Sequence, residues 1–169
     1  MKFSKWLLSV CLCAIFTLSS AWATEWVGMP YQSKNSKTTA MVWVNVDSMH
    51  KSRHKSANEI TYWYVWVNTR NEWGGDETEM GYETTYCSEQ KTCVHELQFY
   101  DSDYQLSDKR QYPNFCLSSI NKGETPLGIV RNLACGTVTS KTKKNFKNIK
   151  ELIKASQKMI GVRPKPKPF

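Results

Sequence analysis

Apolar and polar positions define a series of strands in the first two thirds of the chain. Residues 40–46 read AMVWVNV, an alternation dense in β-formers that ends at the polar, turn-like stretch NVDSMHKSRHKSANE. Residues 60–68, ITYWYVWVN, give the strongest strand signal, with eight consecutive β-branched or aromatic residues. Ile60, Tyr62, Tyr64 and Trp66 fall on one side of that strand, and Thr61, Trp63, Val65 and Val67 on the other. Both sides are largely apolar, which predicts a central strand covered on both faces. After the polar connection TRNEWGGDETEMG, the segments GYETTYC and TCVHELQFYDS predict a hairpin joined around SEQK. Plain alternation in its second strand sends His95, Leu97 and Phe99 one way and Val94, Glu96, Gln98 and Tyr100 the other. Residues 101–113 are polar and read as a loop, with a short strand near residues 104–106.

Two segments carry the helical period instead. TPLGIVRNLACG has Thr125 placed as N-cap, Pro126 at the first helical position and Gly136 just past the end. Leu127, Val130, Leu133 and Ala134 recur at helical spacing, and Ile129 widens the stripe. About ten residues are too few for a helix stable by itself in water, so this one has to pack on the sheet. Near the C-terminus, Thr142 reads as a cap and Lys143–Ile160 as a helix closed by Gly161, with Pro164 beyond. Its apolar stripe is Phe146, Ile149, Leu152, Ile153, Met159 and Ile160; Lys144, Lys147, Glu151, Lys154 and Lys158 lie opposite. Stacked lysines repel, so the helix needs a sheet beneath it or an anionic partner outside it. Docking leaves the lysines in solvent, whereas an interfacial helix would lay its stripe on an anionic membrane, each lysine adding about 1 kcal/mol. RPKPKPF then reads as an extended, basic polyproline-like arm.

The first residues change the compartment. Lys2 and Lys5 precede the apolar run WLLSVCLCAIFTL, too short to span a bilayer, and Ala21 and Ala23 stand where a signal peptidase reads small residues. Residues 1–23 are read as a cleaved secretory signal, which places the mature protein in the periplasm, at the outer-membrane surface or outside the cell. The mature chain keeps Cys87, Cys93, Cys116 and Cys135, and an even count in an exported chain points to two disulfides. Their spacing lacks the paired knuckles of a zinc site.

Charge divides the chain. Residues 141–169 hold ten Lys and Arg against Glu151, a net of +9, while residues 24–140 come to −3. Nine of the ten are the candidate anionic-surface residues: Lys143, Lys144, Lys147, Lys150, Lys154, Lys158, Arg163, Lys165 and Lys167. The basicity therefore belongs to the tail and suits an anionic lipid or polysaccharide. Nucleic acid is disfavoured as a partner, because the tail has no stacking aromatics beyond Phe146 and Phe169.

Catalytic chemistry finds little support. His50 and His54 sit in a polar loop with no carboxylate at metalloprotease spacing, and His95 and Glu96 are expected on opposite faces of a strand. No nucleophile elbow, phosphate loop or dinucleotide turn occurs, and no cofactor or metal is expected. The aromatics suggest binding instead. Most of Trp43, Tyr62, Tyr64, Trp63 and Trp66 are expected in the core, with Trp63, Tyr64, Trp66 and the loop residue Trp73 as candidate ligand contacts.

The order VWVNVDSM, ITYWYVWVN, YETTYC, VHELQFYDSD and TPLGIVRNLAC resembles the surface-adhesin protein E-like family of exported bacterial proteins. The resemblance covers roughly residues 26–135. It departs at the first turn, where Asp47 and Ser48 are adjacent, and at the Tyr-Asp turn, where Ser102-Asp103 replaces the usual Gly. It implies an α+β domain, an antiparallel sheet over residues 24–140 with a short helix tethered across one face by a disulfide. On matching positions that bond is Cys87–Cys135, leaving Cys93–Cys116; the residues alone also admit Cys87–Cys93 with Cys116–Cys135. It further implies adhesion to host components, and it leaves the basic appendage of residues 141–169 unexplained. The expectation is a non-enzymatic envelope or surface binding protein with a protein or matrix-type partner, and a helix-free sheet face open to a second copy of the chain. The rival is a periplasmic enzyme or enzyme inhibitor with a dispersed site, which a cleft gathering carboxylates and a histidine would favour.

Overall fold

The computed structural model describes residues 23–32, 39–52, 58–68, 78–118, 125–140 and 142–161. Residues 1–22 of the stretch read as a signal, and His54, Trp73, Arg163, Lys165 and Lys167, lie outside the described residues.

Eight antiparallel strands build one sheet: β1 (Thr24–Gln32), β2 (Thr39–Asn45), β3 (His50–Lys51), β4 (Glu59–Asn68), β5 (Thr78–Tyr86), β6 (Lys91–Tyr100), β7 (Leu106–Ser118) and β8 (Thr142–Phe146). Their order is β7-β6-β5-β4-β2-β1-β8, and the short β3 pairs with β4. Among the described residues two helices, α1 (Pro126–Ala134) and α2 (Ile149–Met159), complete the α+β fold.

The all-β-former strand β4 lies mid-sheet, as its two apolar sides require. Ile60, Tyr62 and Tyr64 join Val42 and Val44 beneath Val130, Leu133 and Ala134 of α1. Val65 and Val67 join Met41, Trp43 and Phe146 beneath Leu152 and Ile153 of α2. Each face therefore carries one helix, and the expected helix-free face does not exist over the sheet's centre. Phe146, Leu152 and Ile153 of the C-terminal stripe are core, Ile149 and Ile160 pack partly buried against them, and Met159 stays exposed. The Trp43 indole, fully buried, donates to Ser156 Oγ at 2.7 Å and meets the Phe146 ring edge-on at 5.2 Å.

The C-terminal segment also starts differently from its periodicity. Thr142–Phe146 forms strand β8, pairing Thr24 with Phe146 and Val27 with Lys143. The helix begins at Ile149, and its N-cap is Asn148, whose side chain accepts from Glu151 N at 3.0 Å. A free sheet edge at β1 offers this stretch a ladder of hydrogen bonds, which outweighs its helical spacing.

The residues 101–113 expected as a loop are mostly strand. A turn at Asp101–Gln105, with Tyr104 at φ 65°, leads into the thirteen-residue β7. As an edge strand, largely exposed, β7 needs no apolar alternation. Its Pro113 sits in a bulge, between the pairs Val94–Phe115 and Glu96–Gln111, where no ladder donor is required.

Disulfides join Cys87 to Cys135 and Cys93 to Cys116, the pairing the resemblance implies. The first fastens the C-terminal end of α1 to the β5–β6 turn. The second links paired residues of β6 and β7. Both fit an oxidising compartment outside the cytoplasm.

Candidate functional site

Helix α1 packs over β1, β2 and β4 and α2 over β2, β4 and β8, so strands β5, β6 and β7 extend past them. This extension is amphipathic. Its α2 side carries Tyr82, His95, Gln98 and Gln111, whereas its α1 side carries Val94, Leu97, Phe115 and Leu117. An apolar sheet surface beside the flank of a helix leaves a groove, and here it is a cleft of about 590 Å³. Leu97, Phe115 and Leu117 form one wall, Pro126, Leu127 and Val130 the other, and Tyr64, Trp66 and Glu79 the floor. Thr125 caps α1 by accepting from Gly128 N at 3.1 Å, and the Cys87–Cys135 bond holds its other end, so the helical wall is fixed at both termini. The volume lies in the range that encloses a drug-sized molecule.

The floor is built on alternation in TEMGYE. Glu79, Gly81 and Glu83 of β5 share the α1 side and pair across the sheet with Trp66, Tyr64 and Tyr62. Gly81 has no side chain because the Tyr64 ring occupies the space; a Cβ there would come within 2.2 Å of ring carbon Cε1. Tyr64 thereby reaches across to donate from its hydroxyl to Glu79 Oε1 at 2.6 Å. Tyr62 donates to Glu83 Oε1 at 2.5 Å and shares a hydrogen bond of 2.9 Å with Thr85, which is bonded in turn to Thr92.

Burial dominates the electrostatics. It pushes the Glu83 carboxyl up to about 8, against the pull of the Tyr62 hydrogen bond and with help from the nearby Glu79 charge. Burial likewise raises Glu79 above the usual carboxylate range, with the Tyr64 hydroxyl acting the other way. Both tyrosines are held well above their ordinary value, first by burial and then by the neighbouring carboxylates. Glu83 is wholly covered, so only Glu79 meets the cleft. Among the described residues, the buried Trp66 Nε1 and Glu83 Oε2 find no hydrogen-bond partner.

Of the aromatics singled out in the sequence, Tyr64 and Trp66 come together in the cleft. Trp63 does not, because strand alternation turns it to the α2 side, where it packs at 4.9 Å on Tyr82, which in turn lies 5.6 Å from His95. A bulge corrects the expected placement of His95. Glu83 pairs with Val94 and Tyr82 with Glu96, leaving His95 extra, and it swings to bond Thr84 Oγ1 at 2.7 Å. Glu96 shares that side, bonded to Gln98 and paired with Lys109 at 2.8 Å. His95 and Glu96 thus face the same way, but across the sheet from the cleft. Glu79, Leu97, Phe115 and Leu127 were not singled out from the sequence. The spacing Glu79-x-Gly81-x-Glu83 puts two glutamates four apart on a strand, and hence on one face.

The lysines occupy a second region. Lys143, Lys144, Lys147, Lys150, Lys154 and Lys158 are all exposed on β8, α2 and the link between them. Lys143 pairs with Glu25 at 3.1 Å, and Lys150 and Lys154 each lie 5.5 Å from the Tyr104 ring centre. Among the described residues, no three His, Cys, Asp or Glu side chains gather as a metal site, and no helix is long and apolar enough to cross a membrane. Comparison of the chain with protein families, with curated proteins and with solved structures finds no match.

Proposed function

We propose that this is an exported, non-enzymatic binding protein of the cell envelope, and that the cleft between α1 and the β5–β7 extension is its ligand site. The observation that carries this reading is the cleft itself: about 590 Å³, apolar-walled, with one carboxyl on its floor. Signal-like sequence, paired cysteines and the resemblance to an adhesin family all support an envelope binding role. A concave site favours an inserted ligand group over the flat protein-binding face expected from the aromatic pattern. The exposed lysines of β8 and α2 would hold the protein against anionic envelope polymer, with affinity falling as salt rises.

An acid–base enzyme is the weaker reading. Two carboxyls with raised pKa suggest it, but Glu83 is sealed under Tyr62 and His95 lies across the sheet, so among the described residues Glu79 has no partner group in reach of a common substrate.

The test is titration of the mature, disulfide-bonded protein with the uncharged apolar fluorophore Nile red. The reading predicts saturable one-to-one binding that a cleft-filling Leu97→Trp substitution abolishes while thermal stability is kept. Absence of saturable binding, or binding unchanged in that variant, rejects it.

A further inference from the structure

We infer that the ligand of this cleft is a small apolar cation, an amine or quaternary ammonium carried on an aromatic or alkyl body. The inference rests on the cleft being a binding site and specifies what it selects. Among the described residues its lining holds one acid, Glu79, and no lysine, arginine or histidine. The exposed lysines of β8 and α2 lie elsewhere, and among the described residues the arginine of α1, Arg131, is buried with a weak 3.5 Å contact to the Cys87 carbonyl. An anionic ligand would meet Glu79 with no cation among the described lining residues to neutralise it. A neutral ligand would fill the walls yet leave the carboxyl without compensation.

A cation satisfies both parts. Among the described residues, the hydrogen bond shown for Glu79 comes from Tyr64 alone, leaving the carboxyl capacity for a charged donor. Burial disfavours its ionised form, and a positive ligand beside it restores that form. Three aromatic rings, Tyr64, Trp66 and Phe115, line the same space, and their faces attract a cation. Phe115 is 48% exposed, unusual for phenylalanine, and it belongs to the rim that an apolar ligand would cover. Carboxyl, aromatic faces and apolar walls together form the chemistry that recognises an ammonium group attached to a hydrophobic body.

The experiment compares three near-isosteric probes, phenylbutylamine, phenylbutanol and phenylbutanoate, by calorimetric titration of the mature protein at neutral pH. The expected order is amine, then alcohol, then carboxylate, with the amine at least about tenfold tighter than the alcohol. Glu79→Gln should bring the amine to the affinity of the alcohol and leave the alcohol unchanged. Should that variant fail to fold, Phe115→Ala at the exposed rim provides the second reading, with a loss for the amine greater than for the alcohol. Equal affinity of amine and alcohol overturns the cation assignment while leaving the cleft a binding site. Failure of all three probes to bind overturns both.

Discussion

The ring of Tyr64 occupies the place of a side chain at Gly81, near enough that a Cβ would lie 2.2 Å from it, and this contact sets the floor of the cleft. The ring thereby lies over Gly81, and its hydroxyl reaches Glu79 at 2.6 Å. Gly81→Ala should force the ring aside. The expected outcome is a loss of about 1–3 kcal/mol in urea unfolding, the usual range for overpacking a core, together with weakened ligand binding. A variant as stable and as competent as the parent would show that the ring is not held there.

The pH dependence of stability should report Glu83. Its carboxyl sits at about 8 in the folded protein, against 4.5 ordinarily. Between those values the folded state keeps a proton that the unfolded chain has released. The stability that Glu83 contributes is therefore fully present below 4.5, is lost progressively as pH rises, and is gone above about 8. Glu83→Gln keeps the shape and the acceptor for Tyr62 but cannot ionise. Urea unfolding across that range should show the parent losing stability relative to the variant. Parallel curves would refute the assignment.

Helix α2 should behave as core. Leu152 is fully buried, so Leu152→Ala should cost about 2–5 kcal/mol. Ser156→Ala removes the acceptor of the buried Trp43 indole and should cost about 1–3 kcal/mol. Ending the chain after Ser140 uncovers Trp43 altogether, and near-ultraviolet circular dichroism should then lose its tryptophan signal. A truncated protein that keeps its signal and its melting temperature would return α2 to the role of a detachable tail.

Because α2 is part of the fold, its lysines are best tested by substitution. Lys150, Lys154 and Lys158 to glutamine should leave the melting temperature unchanged, since all three are exposed. Retention on a heparin column should drop and become less sensitive to salt. Unaltered retention would remove the anionic-surface role.

The Cys87–Cys135 bond fixes one wall of the cleft through α1. Replacing both cysteines with serine should cost about 2–5 kcal/mol and weaken Nile red binding. Removal of Cys93–Cys116, which joins strands already paired, should affect binding less.

Much of this fold was legible wherever burial on both sides or a capping pattern wrote itself into the residues. The run ITYWYVWVN is the central strand, and TPLGIVRNLACG is a capped helix from Thr125 to Cys135. Edge strands were not legible. β7 and β8 owe their form to a neighbour's unpaired ladder, and their own residues, polar in β7 and lysine-rich in β8, carry no β-period. The hairpin was visible, but the bulge that moves His95 to the other face was not, since it depends on the register of two strands. The same limit applies to the cleft. Tyr64 and Trp66 were recognisable as aromatic candidates, whereas Leu97, Phe115 and Leu127 meet only because α1 crosses a sheet wider than itself.

The most direct test of the binding reading is a nuclear magnetic resonance titration of the mature, isotope-labelled protein with phenylbutylamine. The account predicts saturable shifts at the Trp66 indole N–H and at the amides of Leu97, Phe115 and Leu127, with Trp63 and the α2 lysines unmoved. Shifts gathered around Trp63, Tyr82 and His95, or none that saturate, would contradict it.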